Sequence, residues 1–192
     1  MILPIVAYGH PVLRKVCKEI DSDYPHLKQL IADMHETMDN ASGVGLAAPQ
    51  IGRDIRLFIV NTEPFSESED LDKKEKEVLK NFKRVFINAK ILEENDEQWT
   101  FTEGCLSIPG INEDVSRNKK LTITYYDENF KKHTEELSGL PARVVQHEYD
   151  HIEGKLFTDK LSSLRKRLLK RKLEKITKGK VDTDYRMLFY KK

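Results

Sequence analysis

Gln146-His147-Glu148-Tyr149-Asp150-His151-Ile152-Glu153-Gly154 is the stretch on which the rest of this 192-residue chain turns. Two histidines four positions apart on a helix share a face, about one turn (~6 Å) apart along the axis. Both imidazoles therefore reach one metal ion. Glu148 is rotated from His147 by roughly 100° and flanks the pair. There it can act on a water molecule without binding the metal, which is the logic of H-E-x-x-H hydrolases. The competing reading is an ordinary polar helix whose charges fall in this order. His10, His26, His35 and His133 have no such partner and read as surface or core residues. Ser138 is the expected N-cap of this helix and Gly154 its end, with Leu140, Val144 and Ile152 forming a buried seat. Arg143 and Asp150 read as structural charge partners.

The composition bounds the rest. Charged residues make up 34% and hydrophobic residues 39%, with a net charge of +1. That balance fits one soluble domain and speaks against a whole-molecule nucleic-acid binder. The opening Met1-Ile2-Leu3-Pro4-Ile5-Val6-Ala7-Tyr8 has no basic lead and too short an apolar run for an export signal. No apolar stretch approaches the ~18 residues of a membrane span. With only Cys17 and Cys105 present, the expected location is a reducing cytoplasm, and each cysteine is read separately. Cys17, among Val16 and Ile20, reads as a small buried hydrophobe.

Along the chain, Asp21-Ser22-Asp23 offers N-cap candidates, and Leu27, Leu30, Ile31, Met34 and Met38 recur at helical spacing over 25–40. Gly43-Val44-Gly45-Leu46-Ala47-Ala48-Pro49-Gln50 leaves the backbone bare for close approach to a ligand. By itself this stretch marks no more than a tight helix-to-strand connection. Gln50 is its one side chain able to donate to a substrate oxygen. Strands are expected at Ile55–Val60, Val85–Ile87, Ile91–Leu92 and Gln98–Phe101, with a hairpin joining 121–126 to 131–137. Residues 63–80 read as an acidic, solvated excursion with a short helix towards 72–80. A C-terminal helix over 160–176 carries an apolar stripe of Leu161, Leu164, Leu168, Leu169, Leu173 and Ile176. Its other faces are basic, and it reads as packed on the body. A contact with RNA-rich partners is the sharper alternative. Residues 1–176 are expected to form the single domain and 177–192 a tail.

The third metal ligand decides what kind of site this is. A metzincin needs a histidine where Phe157 stands, and Glu174, the only carboxylate in 160–176, sits on a helix crowded with Lys and Arg. Cys105 remains, on a loop between Gly104 and the Leu106-Ser107-Ile108-Pro109 turn. A second buried thiol is the other reading of its position. With Cys105 the site has three protein ligands and one open position, the arrangement of a catalytic metal.

At this point the sequence resembles the peptide deformylases. Three motifs correspond in order: Gly43 through Gln50, Glu103-Gly104-Cys105-Leu106-Ser107, and Gln146 through Gly154. Their spacing and the helix that follows also correspond, over nearly the whole chain. Pro49 and the long connection at 63–80 are the departures. The resemblance implies an α+β fold with small antiparallel sheets around a central metal-binding helix, followed by a C-terminal helix. It implies removal of the formyl group from N-terminal formylmethionine of new proteins. Cys105, His147 and His151 would hold a divalent metal, Fe2+ in the cell, with Zn2+, Ni2+ or Co2+ as substitutes. Glu148 would serve as general base and then acid, while the Gln50 amide and Leu106 N–H meet the oxyanion. Gly45 would hydrogen-bond the substrate backbone, and Val44, Phe101, Leu140 and Val144 would hold the methionine side chain. Glu103 and Gln146 would orient ligands, and the basic helix would touch the ribosome. The alternatives are a zinc endopeptidase of another H-E-x-x-H type and a binding module with a structural zinc.

Overall fold

The computed structural model describes residues 1–190. Its frame is a five-stranded sheet in the order β2-β3-β4-β7-β8, with every pair antiparallel. The strands are β2 (Gly45–Ala47), β3 (Leu57–Asn61), β4 (Lys83–Glu94), β7 (Lys120–Tyr126) and β8 (Lys132–Ser138). Both faces of this sheet are covered, which is why β3 is buried at every position rather than alternating. Leu57 and Ile59 face helix α1 (Leu27–Asn40) and meet Ile31, Met34 and Met38. Phe58 and Val60 point to the other side, towards helix α3 (Gly139–Ile152) and its Ala142, Val144 and Val145. Phe58 stacks on Phe86 of β4 at 4.6 Å between centroids, and neither is exposed. Emptying that layer by Phe58→Ala would cost about 3–5 kcal/mol.

A two-stranded sheet, β5 (Gln98–Glu103) with β6 (Glu113–Asn118), lies beside this frame. Helix α4 (Ser163–Thr177) packs on a third apolar cluster that includes Ile108, Phe157 and Leu161. The α+β class and the central helix therefore stand as expected from the sequence. The 63–80 excursion folds into a short turn at Glu63–Glu67 and helix α2 (Lys73–Asn81), closed by an Asp72/Glu75 capping box.

Several local expectations change. Helix α1 begins beyond Asp21-Ser22-Asp23, with His26 in the left-handed region at its N-terminus and no side-chain cap. Ser138 stands at the N-cap of α3 without using its hydroxyl there. Strands 85–87 and 91–92 are parts of one strand, β4, interrupted by a bulge at Asn88 (φ 51°), whose side chain bonds both backbone groups of Ile20. On α4 the expected apolar stripe is only partly buried: Leu169 and Ile176 are packed, but Leu164 and Leu168 are more than half exposed. Four residues apart, those two face solvent together. The tail is tied down through strand β9 (Met187–Leu188), which pairs in parallel with β1 (Ile5–Val6). Lys191 and Lys192, within the tail as read from sequence, lie outside the described residues.

Candidate active site

Helix α3 brings His147, Glu148 and His151 to one place. The helix is almost wholly buried, and the two imidazole centroids are 5.1 Å apart. Pro141 falls in its first turn, where its missing N–H has no helical partner to lose. Gly154, just past the helix, adopts φ +68°, and any Cβ there would press on the Arg14 carbonyl. The turn after β5 supplies Cys105, braced by the Ile108 N–H donating to the Cys105 carbonyl at 2.8 Å. The Cys105 Sγ lies 3.3 Å from His151 Nε2, and ligand atoms of Cys105, His147 and His151 all fall within 4.8 Å of one another.

Behind these donors sits a buried ion network. Glu103 Oε2 meets His147 Nδ1 at 2.9 Å, which leaves Nε2 of that ring for a metal. The same carboxylate accepts from Arg117 Nε at 2.6 Å and from Arg143 Nη1 at 2.9 Å, and Arg117 also grips Asp150 at 2.6 Å. Burial alone would raise the Glu103 carboxyl, but His147 and Arg117 outweigh it and hold it well below the usual carboxylate range. Burial likewise opposes charge on His147, yet its hydrogen bonds with Cys105 and Glu103 prevail and raise it well above the ordinary imidazole value. A metal ion bound at Nε2 would displace that proton, as metal binding to imidazole requires. Buried and next to His147, His151 is pushed well below its ordinary value and stays neutral, as a ligand must. Gln146, read from sequence as orienting a ligand, bonds the carbonyls of Asn118 and Ala142 and touches none of the three donors.

In front of the donors opens a cavity of about 570 Å³. Glu148 reaches it with a buried Oε2 that has no hydrogen-bond partner, and burial pushes its carboxyl up to about 7. Gly45 gives this carboxylate its room: a Cβ there would stand 2.8 Å from Glu148 Cδ. Gln50 is held by its Oε1, which accepts from Ala47 N–H at 2.8 Å, so its amide NH2 turns to Cys105 Sγ (3.5 Å) and Ser107 Oγ (3.4 Å). Val44, Phe101, Val144 and Leu106 line the same cavity. Leu140 does not; it lines a neighbouring groove with Val78 and Trp99, and only Phe101 borders both. Leu140 sits at the second position of α3, two turns before His147, and that offset carries it out of the cavity. Phe65, Arg143 and Tyr185 also line the cavity, although the motifs single out none of them for it.

A thiol and two imidazoles within one coordination sphere, with a buried unpaired carboxylate beside them, suit a divalent metal with an open position. Residues 2–167 match the family model of the polypeptide deformylases. The chain belongs to that family. The peptide deformylase of Flavobacterium psychrophilum is 63% identical over 187 residues, covering 97% of this chain and 96% of that protein. The peptide deformylase of Christiangramia forsetii is 60% identical over 189 residues, with 98% and 96% covered. The crystal structure of a peptide deformylase from Legionella pneumophila aligns with a TM-score of 0.77 at 36% identity, over 94% of this chain and 98% of that one. Deformylases are metal-dependent hydrolases, and Cys105, His147 and His151 form the group here that can bind the metal.

Proposed function

We propose that this chain removes the N-formyl group from the N-terminal formylmethionine of newly made proteins and releases formate. The observation that carries this reading is the meeting of Cys105, His147 and His151 beside the unpartnered carboxylate of Glu148, in a chain of the deformylase family. Cys105, His147 and His151 would hold one divalent ion, in the cell Fe2+, with Zn2+, Ni2+ or Co2+ able to replace it at a mixed thiolate–imidazole site. When bound, that ion polarises the formyl oxygen and makes water a better nucleophile.

The remaining chemistry belongs to the side chains. Glu148, its carboxyl pushed up by burial, takes the proton of the attacking water and returns it to the departing amine. The Gln50 amide and the Leu106 N–H meet the negative charge that develops on the formyl oxygen. The bare backbone at Gly45 accepts the substrate's main chain, and Val44, Phe101 and Val144, with Phe65 at their edge, receive the methionine side chain. Glu103 holds His147 in the tautomer that binds metal. The chain works where its substrate is made, in the cytoplasm. The basic face of α4, with Leu164 and Leu168 exposed upon it, supports contact with the ribosome. Cosedimentation with ribosomes that survives Lys166→Glu with Arg167→Glu would remove that contact from the reading.

The deciding experiment is an anaerobic assay of formyl-Met-Ala-Ser, with metal analysis of the same sample. Formate release in proportion to bound metal is expected. Cleavage of unformylated internal peptide bonds with no formate release would assign the site to an endopeptidase instead.

A further inference from the structure

The family match covers residues 2–167, and the chain beyond it returns to the site. After α4, β9 runs beside β1, with Ile5 N–H donating to Arg186 O at 2.8 Å and Ala7 N–H to Leu188 O at 2.9 Å. Met187 and Phe189 pack on the cluster that holds Ile108 and Phe157. The segment Asp182–Tyr185 thereby becomes one side of the cavity that contains Cys105, His147 and Glu148. From this side the Tyr185 hydroxyl donates to the Leu106 carbonyl at 2.8 Å, across 79 positions of sequence. Thr183 Oγ1 donates to the Tyr185 carbonyl at 2.8 Å and fixes the backbone that presents the ring.

Leu106 is consequently held from several directions. Its carbonyl is gripped by Tyr185, the next carbonyl (Ser107) accepts from Tyr8 N–H at 2.8 Å, and its side chain lies against Gly43, where a Cβ would come within 2.9 Å of Cδ1. The preceding carbonyl, of Cys105, accepts from Ile108 N–H at 2.8 Å. That carbonyl and the Leu106 N–H belong to one planar peptide unit, so fixing one aims the other. The Leu106 N–H itself donates to no other described residue. A free, fixed N–H at the edge of a cavity is a ready donor for a ligand oxygen.

We propose that Tyr185 is a positioning residue of the hydrolytic site: the tail delivers a phenol that clamps the Leu106 carbonyl, pinning the peptide unit after Leu106 as Ile108 pins the one before it, so that the residue cannot turn and its N–H stays aimed at the formyl oxygen. This rests on the deformylase reading. Donors to a developing oxyanion work because they are aimed beforehand. An amide that must be ordered during the reaction lowers kcat and leaves ground-state binding nearly unchanged. Tyr185→Phe keeps the ring and removes a single hydrogen bond.

The test compares wild type, Tyr185→Phe and, on the same tail, Tyr190→Phe, whose ring stands edge-on to His10 and away from the cavity. Turnover of formyl-Met-Ala-Ser is measured per bound metal, together with melting temperature and deuterium uptake over residues 104–108. In Tyr185→Phe, kcat should fall roughly three- to tenfold with KM within about twofold, the loss of one well-placed hydrogen bond. Uptake over 104–108 should rise, and Tyr190→Phe should match wild type in both. An unchanged kcat with unchanged uptake overturns the proposal. So does a loss accounted for by missing metal or early melting, or one shared equally by Tyr190→Phe. Failure of the wild type to release formate would instead sink the deformylase reading, while the exchange data would still report whether Tyr185 holds the turn.

Discussion

Gly45→Ala probes the tightest steric relation in the site. Gly45 of β2 pairs with Val60 of β3 and its φ lies outside the left-handed region, so alanine is acceptable to the backbone there. The added Cβ, however, would stand 2.8 Å from both Cδ and Cγ of Glu148. Normal carbon–carbon contact is about 3.5–4.0 Å, so the carboxylate must retreat by roughly 1 Å. Glu148 is only 4% exposed, so any retreat carries the carboxylate away from its place beside the three donors. A displacement of that size at a proton-transfer group costs about 10²-fold in kcat, or ~2.7 kcal/mol of barrier. The cost in stability is that of mild overpacking, about 1–3 kcal/mol. The assay is steady-state deformylation per bound metal, run as a double-mutant cycle with Glu148→Ala. If the methyl acts through Glu148, adding it to the Glu148→Ala background should change kcat by less than about twofold. Full additivity of the two losses would refute the reasoning, since the methyl would then be acting elsewhere.

Three further outcomes follow from the buried network and the two thiols. Glu103→Gln leaves Arg117 and Arg143, whose side chains are each 2% exposed, without their shared carboxylate. It should destabilise the metal-free protein by about 3–5 kcal/mol in urea unfolding, and a loss below about 1 kcal/mol would contradict the network's role. Cys105→Ser should unfold at nearly the wild-type denaturant concentration but lose its metal on dialysis; metal content equal to wild type would exclude Cys105 as a ligand. Burial pushes the Cys17 thiol up to about 11, so only ~10⁻³ of it is thiolate at pH 8. Native Cys105→Ser protein should therefore resist iodoacetamide at pH 8 and be labelled in denaturant, with native labelling rising only as the pH approaches 11.

The metal-binding helix was readable because His147, Glu148 and His151 are neighbours in sequence and a single helical turn places them together. Cys105 needed the long-range question of which residue completes the site. Other parts were hidden for physical reasons. Strand β6 buries Glu113, Val115 and Arg117 on one face. Two of those three are charged and satisfied by Arg165, Glu103 and Asp150, so no hydrophobic alternation marks the strand. The role of Arg117 was invisible for the same reason. Leu140 is apolar and close in sequence to the histidines, but two helical turns carry it into the adjoining groove. In β4 the continuous strand was masked by Asn88, a turn-forming residue that here serves the bulge and a bond to Ile20. The hold of Tyr185 on Leu106 depends on the tail pairing with β1, and nothing local encodes it.

Strand β2 is only three residues long and ends the sheet, with a hydrogen-bonded neighbour on one side alone, and its Gly45 borders the cavity. A guest lying along such a rim is grasped by amides and carbonyls that every amino acid except proline offers alike. Recognition of that kind ignores which residues come second and third. Under the proposed function, a single catalyst would then serve an entire proteome, its discrimination left to the pocket assigned to the leading side chain.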